Sequence, residues 1–129
     1  MSPHASDAWQ NQEIQKVICK VVRLDDFDPI ENLKSIDFIK LDAEGAELPT
    51  LRGAQSLLEK QKPILFFEGC KEWMRSFQYT PRDFDQFLET LNYQQLLVVG
   101  EKLVPTHSLE SFFKNKTPEE SFNFIAKQT

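Results

Sequence analysis

The chain has 129 residues, a formal net charge of −5, eleven Phe and only four Gly. That length fits one domain able to bury roughly two thirds of the surface its unfolded form exposes, and no tract is biased enough to signal low complexity or a repeat. Basic residues are scattered, which excludes an electrostatic footprint for nucleic acid. No apolar run approaches the roughly 18 residues of a membrane span and the N-terminus lacks a signal peptide's apolar centre, so the chain is expected in the cytoplasm, away from membranes.

Residues 1–13 are polar and follow neither the helical nor the strand period, which predicts a flexible tail with Trp9 docking on the domain. The main unit is expected over residues 14–105 and a helical extension over 106–129. Val17, Ile18, Val21, Val22 and Leu24 make a β-branched strand candidate, closed by a turn at LDDFDP. Ile36, Phe38, Ile39 and Leu41 then form a short run of the kind found in strands buried on both faces of a parallel sheet.

After AEGAEL, Pro49 suits a first helical turn, and Leu48, Leu51, Ala54 and Leu58 follow at helical spacing, predicting one helix from Glu47 to Lys60. A second apolar run, ILFF, ends in Glu68 and Gly69, so the unit is strand, helix, strand joined by a right-handed crossover. Thr80, Pro81 and Asp83 start a helix carrying Phe84, Phe87, Leu88 and Leu91 on one face. QLLVV and KLVP are expected to pair as an antiparallel hairpin through Gly100 and Glu101. Thr117, Pro118 and Glu120 resemble a capping box and predict a short C-terminal helix with Phe122 and Ile125 on one face.

Cys19 and Cys70 stand far apart without a second cysteine or a ligand-spaced His beside them, which predicts two buried, reduced thiols. His4 and His107 read as surface residues. The acids carry more information. In open α/β sheets ligands bind beyond the carboxyl ends of the strands, and there Asp42 ends one strand, Glu68 ends its neighbour, and Glu44 and Glu47 lie on the loop between strand and helix. Up to four carboxylates are therefore expected around one crevice. Glu44 and Glu47 also suit a plain first-turn role at the helix dipole, whereas a charge directly after a buried strand, as at Asp42, needs a hydrogen bond or a cleft. Gly45 fits a tight exit from strand to helix.

The ordered set LDD, KLDAEGAE, LRGA and PILFFE resembles the C-terminal half of the FkbM-type methyltransferases, over Val21 to about Gly69 and more loosely to QLLVVG. The resemblance implies a partial Rossmann-like α/β fold, its sheet mostly parallel with a C-terminal antiparallel hairpin. It implies transfer of a methyl group from S-adenosylmethionine to a hydroxyl of a small molecule or sugar. Asp42 would lie beside the cofactor's methyl end and the acceptor, with Glu44 next to it to orient the acceptor hydroxyl or take its proton. Glu68 would share the cofactor site. Asp26, from LDD, matches a family position and, with Glu47, is a substrate-side candidate.

The family's glycine-rich cofactor loop and ribose-binding acid belong upstream of LDD. Gly45 is the first glycine here, and only about twenty residues precede LDD where three strands with their helices are expected. A truncated or partner-dependent enzyme follows, its half sheet exposing an edge that predicts self-association or a second chain. Two other classes fit parts of the pattern: a non-catalytic interaction module on a degenerate methyltransferase fold, and a divalent-metal-dependent transferase using the D-x-E acids. The metal reading lacks a phosphate-cradling loop or basic clamp.

Overall fold

The computed structural model describes residues 15–31 and 33–128, so the expected tail over residues 1–13, with Trp9, lies outside the described residues. Five strands form one mixed sheet: β1 (Phe38–Leu41), β2 (Ile64–Cys70), β3 (Tyr93–Val99), β4 (Lys102–Thr106) and β5 (Ser121–Gln128), in the order β1-β2-β5-β3-β4. The helices are α1 (Asp28–Glu31), α2 (Glu47–Arg52), α3 (Gln55–Gln61), α4 (Lys71–Ser76), α5 (Pro81–Thr90) and α6 (Leu109–Phe113), with a 3-10 turn at Leu24–Asp26.

The expectation of a mostly parallel sheet is overturned: β1 and β2 pair in parallel, and every other pairing is antiparallel. The cause is the segment expected to be a C-terminal helix. It is β5, inserted between β2 and β3 and running against both. Phe122 and Ile125 fit helical spacing, but Phe124 and Ala126 are fully buried while Ser121, Asn123 and Lys127 are exposed, which is a period of two. Of the expected capping box one bond exists, with the Thr117 N–H donating to Glu120 Oε2 at 2.6 Å, and it closes a turn rather than starting a helix. The hairpin of β3 and β4 is as expected: Val99 pairs with Lys102 across Gly100, whose φ of +59° suits the tight turn.

The strand expected at Val17–Leu24 is likewise absent. Val17, Ile18 and Val21 are 72%, 99% and 91% exposed, so the β-branched composition is present without a sheet edge to satisfy it. Nor are both thiols buried: Cys70 is, but Cys19 lies in this exposed segment. The helix expected over 47–60 is two pieces broken at Gly53 and Ala54. Ala54 cannot cap α3 with its side chain. The carboxylate of Asp25 does so, its two oxygens accepting from the Ser56 and Leu57 N–H groups, each at 3.0 Å, while the Asp25 N–H donates to the Gly53 carbonyl at 2.9 Å. The sequence elements LDD and LRGA thus meet as a cap and the helix start it satisfies.

All the helices with buried side chains contribute to one core against one face of the sheet. Leu41, Leu65, Phe67, Phe124, Ala126 and Tyr93 from the strands meet Leu48 and Leu51 of α2, Leu57 and Leu58 of α3, Met74 of α4, Phe84 and Leu88 of α5, and Leu109 and Phe113 of α6. Phe67 stacks on Phe84 and Phe124 with centroids 4.7 and 5.5 Å away. α5 begins as expected, with Thr80 and Asp83 forming a reciprocal capping box. Those hydrogen bonds, from the Thr80 hydroxyl and then its backbone N–H, hold the Asp83 carboxyl below the usual carboxylate range. Asp85, only 4% exposed, accepts from Gln95 Nε2, Leu109 N and Glu110 N at 2.7 to 2.9 Å, tying α5 to β3 and to the start of α6.

Two tests follow. Asp25→Ala leaves two helix-start N–H groups without their partner and is expected to cost about 1 kcal/mol of stability, read as a lower urea midpoint with an unchanged slope. Tyr93 donates its hydroxyl to the Pro63 carbonyl at 2.8 Å, and burial pushes its phenol up to about 12. The folded state therefore holds this proton more tightly than the unfolded chain, where the phenol titrates near about 10. The contribution is complete below that pH and declines as pH rises toward 12, so the urea midpoint of Tyr93→Phe should fall less steeply than that of the parent between pH 9 and 12.

Candidate active site

The site begins where β1 stops. Leu41 is buried, and the next residue, Asp42, is exposed at the carboxyl end of the strand, its Oδ2 accepting from Lys40 Nζ at 3.2 Å. The chain then turns sharply, with the Ala46 N–H donating to the Ala43 carbonyl at 3.1 Å. Glu44 and Gly45 take φ values of +47° and +110°, so two consecutive residues lie in left-handed space. Glutamate in that region is strained and glycine is not.

Glu47 holds this turn in place. It is 2% exposed, and its Oε1 and Oε2 accept from Ala43 N and Gly45 N, each at 2.8 Å. A carboxylate removed from water is costly unless its oxygens are hydrogen-bonded, and both are. Gly45 is pressed against α4: a Cβ there would sit 2.6 Å from the Trp73 carbonyl oxygen and 2.7 Å from Phe77 Cδ2. The loop after β1 is thereby fixed both to its own helix α2 and to the helix that follows β2.

Register brings the second acid alongside. Leu41 pairs with Phe67, so Asp42, just past the end of β1, lies level with Glu68; contrary to expectation Glu68 does not end its strand, because pairing with β5 carries β2 on to Cys70. Glu68 is half-buried and pairs with Asn123 of β5. Of the sequence-predicted acids, Asp42, Glu44 and Glu68 gather at this end of the sheet. Glu47 belongs to the same loop but points inward with both oxygens occupied. Asp26 is elsewhere, exposed in the 3-10 turn beside α3 and 3.9 Å from Arg23 Nε.

Lys71, Trp73, Met74 and Arg75, whose mixed sequence equally suited packing or an acceptor pocket, form α4. Met74 is buried, Trp73 is half-buried, and Lys71 Nζ donates to the carbonyls of Phe113 and Lys116. Lys71 and Arg75 line both a cleft of about 380 Å³ with Glu72, Pro118 and Glu119, and one of about 310 Å³ with Gln78, Tyr79, Thr80 and Pro81. These openings lie at the carboxyl end of β2. A third cleft, of about 330 Å³, is lined by Leu24, Asp25, Leu33, Ile36, Leu57 and Lys60 and lies toward the opposite end of β1. Tyr79 is buried, and burial, reinforced by the Glu47 carboxylate, raises its phenol well above the ordinary value. Among the described residues no three His, Cys, Asp or Glu side chains converge as a metal-binding group. No helix is long and apolar enough to cross a membrane among the described residues.

The inward clamp of Glu47 escaped sequence reasoning because a first-turn acid and a loop clamp look alike in a string of letters. The signal present was its position two residues after Gly45 and directly before Leu48 of the apolar helix face. Glu47→Gln keeps one acceptor and sets an amide NH2 against the other N–H, so it is expected to cost about 1–3 kcal/mol, measured by chemical denaturation. Gly45→Ala, clashing with Trp73 and strained at its φ, should cost about 2 kcal/mol or more by the same measurement.

No curated protein and no solved structure matches the chain significantly. A family model does: the methyltransferase FkbM domain matches residues 2–95, which takes in β1, its clamped loop, β2, α4, α5 and the start of β3. The match covers Asp42, Glu44, Glu47 and Glu68 together with the LDD and LRGA segments that meet at the start of α3, and on it the chain belongs to the FkbM methyltransferase domain family.

Proposed function

We propose that the chain carries the acceptor-side site of an S-adenosylmethionine-dependent O-methyltransferase acting on a hydroxyl of a small molecule or sugar. The observation that carries this reading is the exposure of Asp42 and Glu44 on a loop locked from beneath by Glu47, beside Glu68. The donor set fits the cofactor's cationic end: exposed Asp42 and Glu44 after β1 and half-buried Glu68 on β2 favour a sulfonium or ammonium charge. S-adenosylmethionine, when bound, supplies the methyl group on a sulfonium that leaves as a neutral thioether. Asp42 and Glu68 hold the cofactor's charged end, Asp42 also orients the acceptor, and Glu44 takes the proton the hydroxyl loses. Glu47 serves the substrate through the loop it positions, and Asp26 lies on the substrate side only if the acceptor extends over α3.

The adenosine end asks for more chain than this site supplies, since no glycine precedes Gly45. In this reading the adenosine end is held by further chain, either more of this protein or a partner. A second reading, a non-catalytic interaction module, is favoured by apolar exposure on the uncovered face of the sheet, where Phe38, Ile64 and Leu103 are 54%, 41% and 49% exposed.

Isothermal titration of S-adenosylmethionine and S-adenosylhomocysteine into the folded chain separates the two. Saturable micromolar binding lost in Asp42→Ala supports the enzyme site, and no heat from a folded chain favours the interaction module. Where transfer to a hydroxyl acceptor is measurable, Glu44→Gln should lower its rate on the order of a hundredfold with cofactor affinity little changed.

A further inference from the structure

Lys71 and Arg75 have no part in the methyl transfer proposed above, yet both line the two clefts at the carboxyl end of β2. They stand four residues apart on α4 and so share one face of it. The half-buried Lys71 donates from Nζ to the carbonyls of Phe113, at 2.9 Å, and Lys116. Neutral carbonyls fix the ammonium in place without cancelling its charge. Arg75 is exposed, and among the described residues neither side chain forms an ion pair. In a chain of net charge −5, two neighbouring cations left without a carboxylate suit an anion from outside the fold.

The two clefts differ in what surrounds that charge. The cleft of about 380 Å³ also holds Glu72 and Glu119, which oppose an anion. The cleft of about 310 Å³ adds Gln78, Tyr79, Thr80 and Pro81 and no acid, and its walls are almost wholly apolar. Asp83, next on that side of the chain, is engaged by the hydroxyl and the backbone N–H of Thr80. All six lining residues lie in one stretch, 71–81, between β2 and the first turn of α5. Backbone bonds hold the stretch in shape: the Glu72 N–H donates to the Pro118 carbonyl at 2.9 Å, the Gln78 N–H to the Arg75 carbonyl at 3.0 Å, and the Tyr79 N–H to the Met74 carbonyl at 3.1 Å.

Two cations over an apolar floor select a single negative charge on an apolar body. A guanidinium offers a carboxylate two parallel N–H donors and the ammonium offers another, while the cleft covers the apolar remainder. A phosphoryl group, with three strong acceptor oxygens to satisfy, meets too few donors here. We propose that Lys71 and Arg75 bind a small organic carboxylate whose ring-sized apolar body lies in the acid-free cleft. The site stands whether or not the chain transfers methyl groups.

The test is a titration of benzoate into the full chain, followed by backbone amide shifts in NMR, with benzamide as the neutral isostere. Benzoate should shift Gln78, Tyr79 and Thr80 saturably, with a Kd on the order of millimolar that rises with salt, and benzamide should not. Arg75→Gln removes a charge that has no ion pair in the fold, so it should keep the urea midpoint and weaken benzoate about tenfold. Lys102→Gln, on β4, should change neither. A hydroxybenzoate separates two sources of the carboxylate. If Arg75→Gln raises its KM as a methyl acceptor and leaves kcat alone, the carboxylate is the acceptor's own; if benzoate binds without competing with the acceptor, it belongs to a separate ligand. A chain that binds benzoate but transfers no methyl group supports the site and counts against the enzyme reading alone. Equal binding of benzamide, an affinity unchanged in Arg75→Gln, or no saturable shift in the folded chain overturns the proposal.

Discussion

Everything at the candidate site rests on a buried carboxylate whose two oxygens are spent on backbone. Glu47 sits almost out of water and accepts from Ala43 and Gly45, and without those bonds its charge would be among the most costly features of the core. With them, a turn containing two consecutive left-handed residues becomes a fixed platform, and Asp42 and Glu44 are directed outward. The spacing of the D-x-E-G-x-E run has a physical reason: the first two acids face solvent and the third holds the loop from inside. Gly45 is required twice over, by its backbone conformation and by the Trp73 carbonyl that occupies the place of a side chain.

A second carboxylate does comparable service at a distance. Asp25 caps α3 where Ala54 cannot, and so anchors the 3-10 turn at Leu24–Asp26 to the second helix after the clamped loop. Asp85 plays the same part on the far side of the core, binding three donors from β3 and the start of α6. In each case the acid compensates a helix end or a buried amide that local sequence leaves open. Of the twenty Asp and Glu residues in the chain, these three explain more of the fold than any surface pair.

The parts legible in the sequence are those set by local rules. The capped helix at Thr80, the hairpin at Gly100, the parallel pair carrying Asp42 and Glu68, and the family itself follow from periodicity, turn chemistry and ordered motifs. What was misread depends on tertiary context. Residues 121–128 carry both a helical and a strand spacing, and the slot between β2 and β3 decides in favour of the strand. Residues 17–22 have strand composition, but composition does not supply an edge to pair with. Asp25 and Asp26 are indistinguishable as letters, and only the position of α3, more than thirty residues later, makes the first a cap and leaves the second in solvent.

The most direct measurement of the central claim is amide hydrogen exchange at Ala43 and Gly45, followed by NMR in the parent and in Glu47→Gln. Both amides belong to a loop, yet the account predicts that they are strongly protected in the parent and that both lose protection together in the variant while core strand amides retain theirs. Exchange of these two amides at the rate of an open loop in the parent would contradict it, because Asp42 and Glu44 would then stand on a turn that nothing holds.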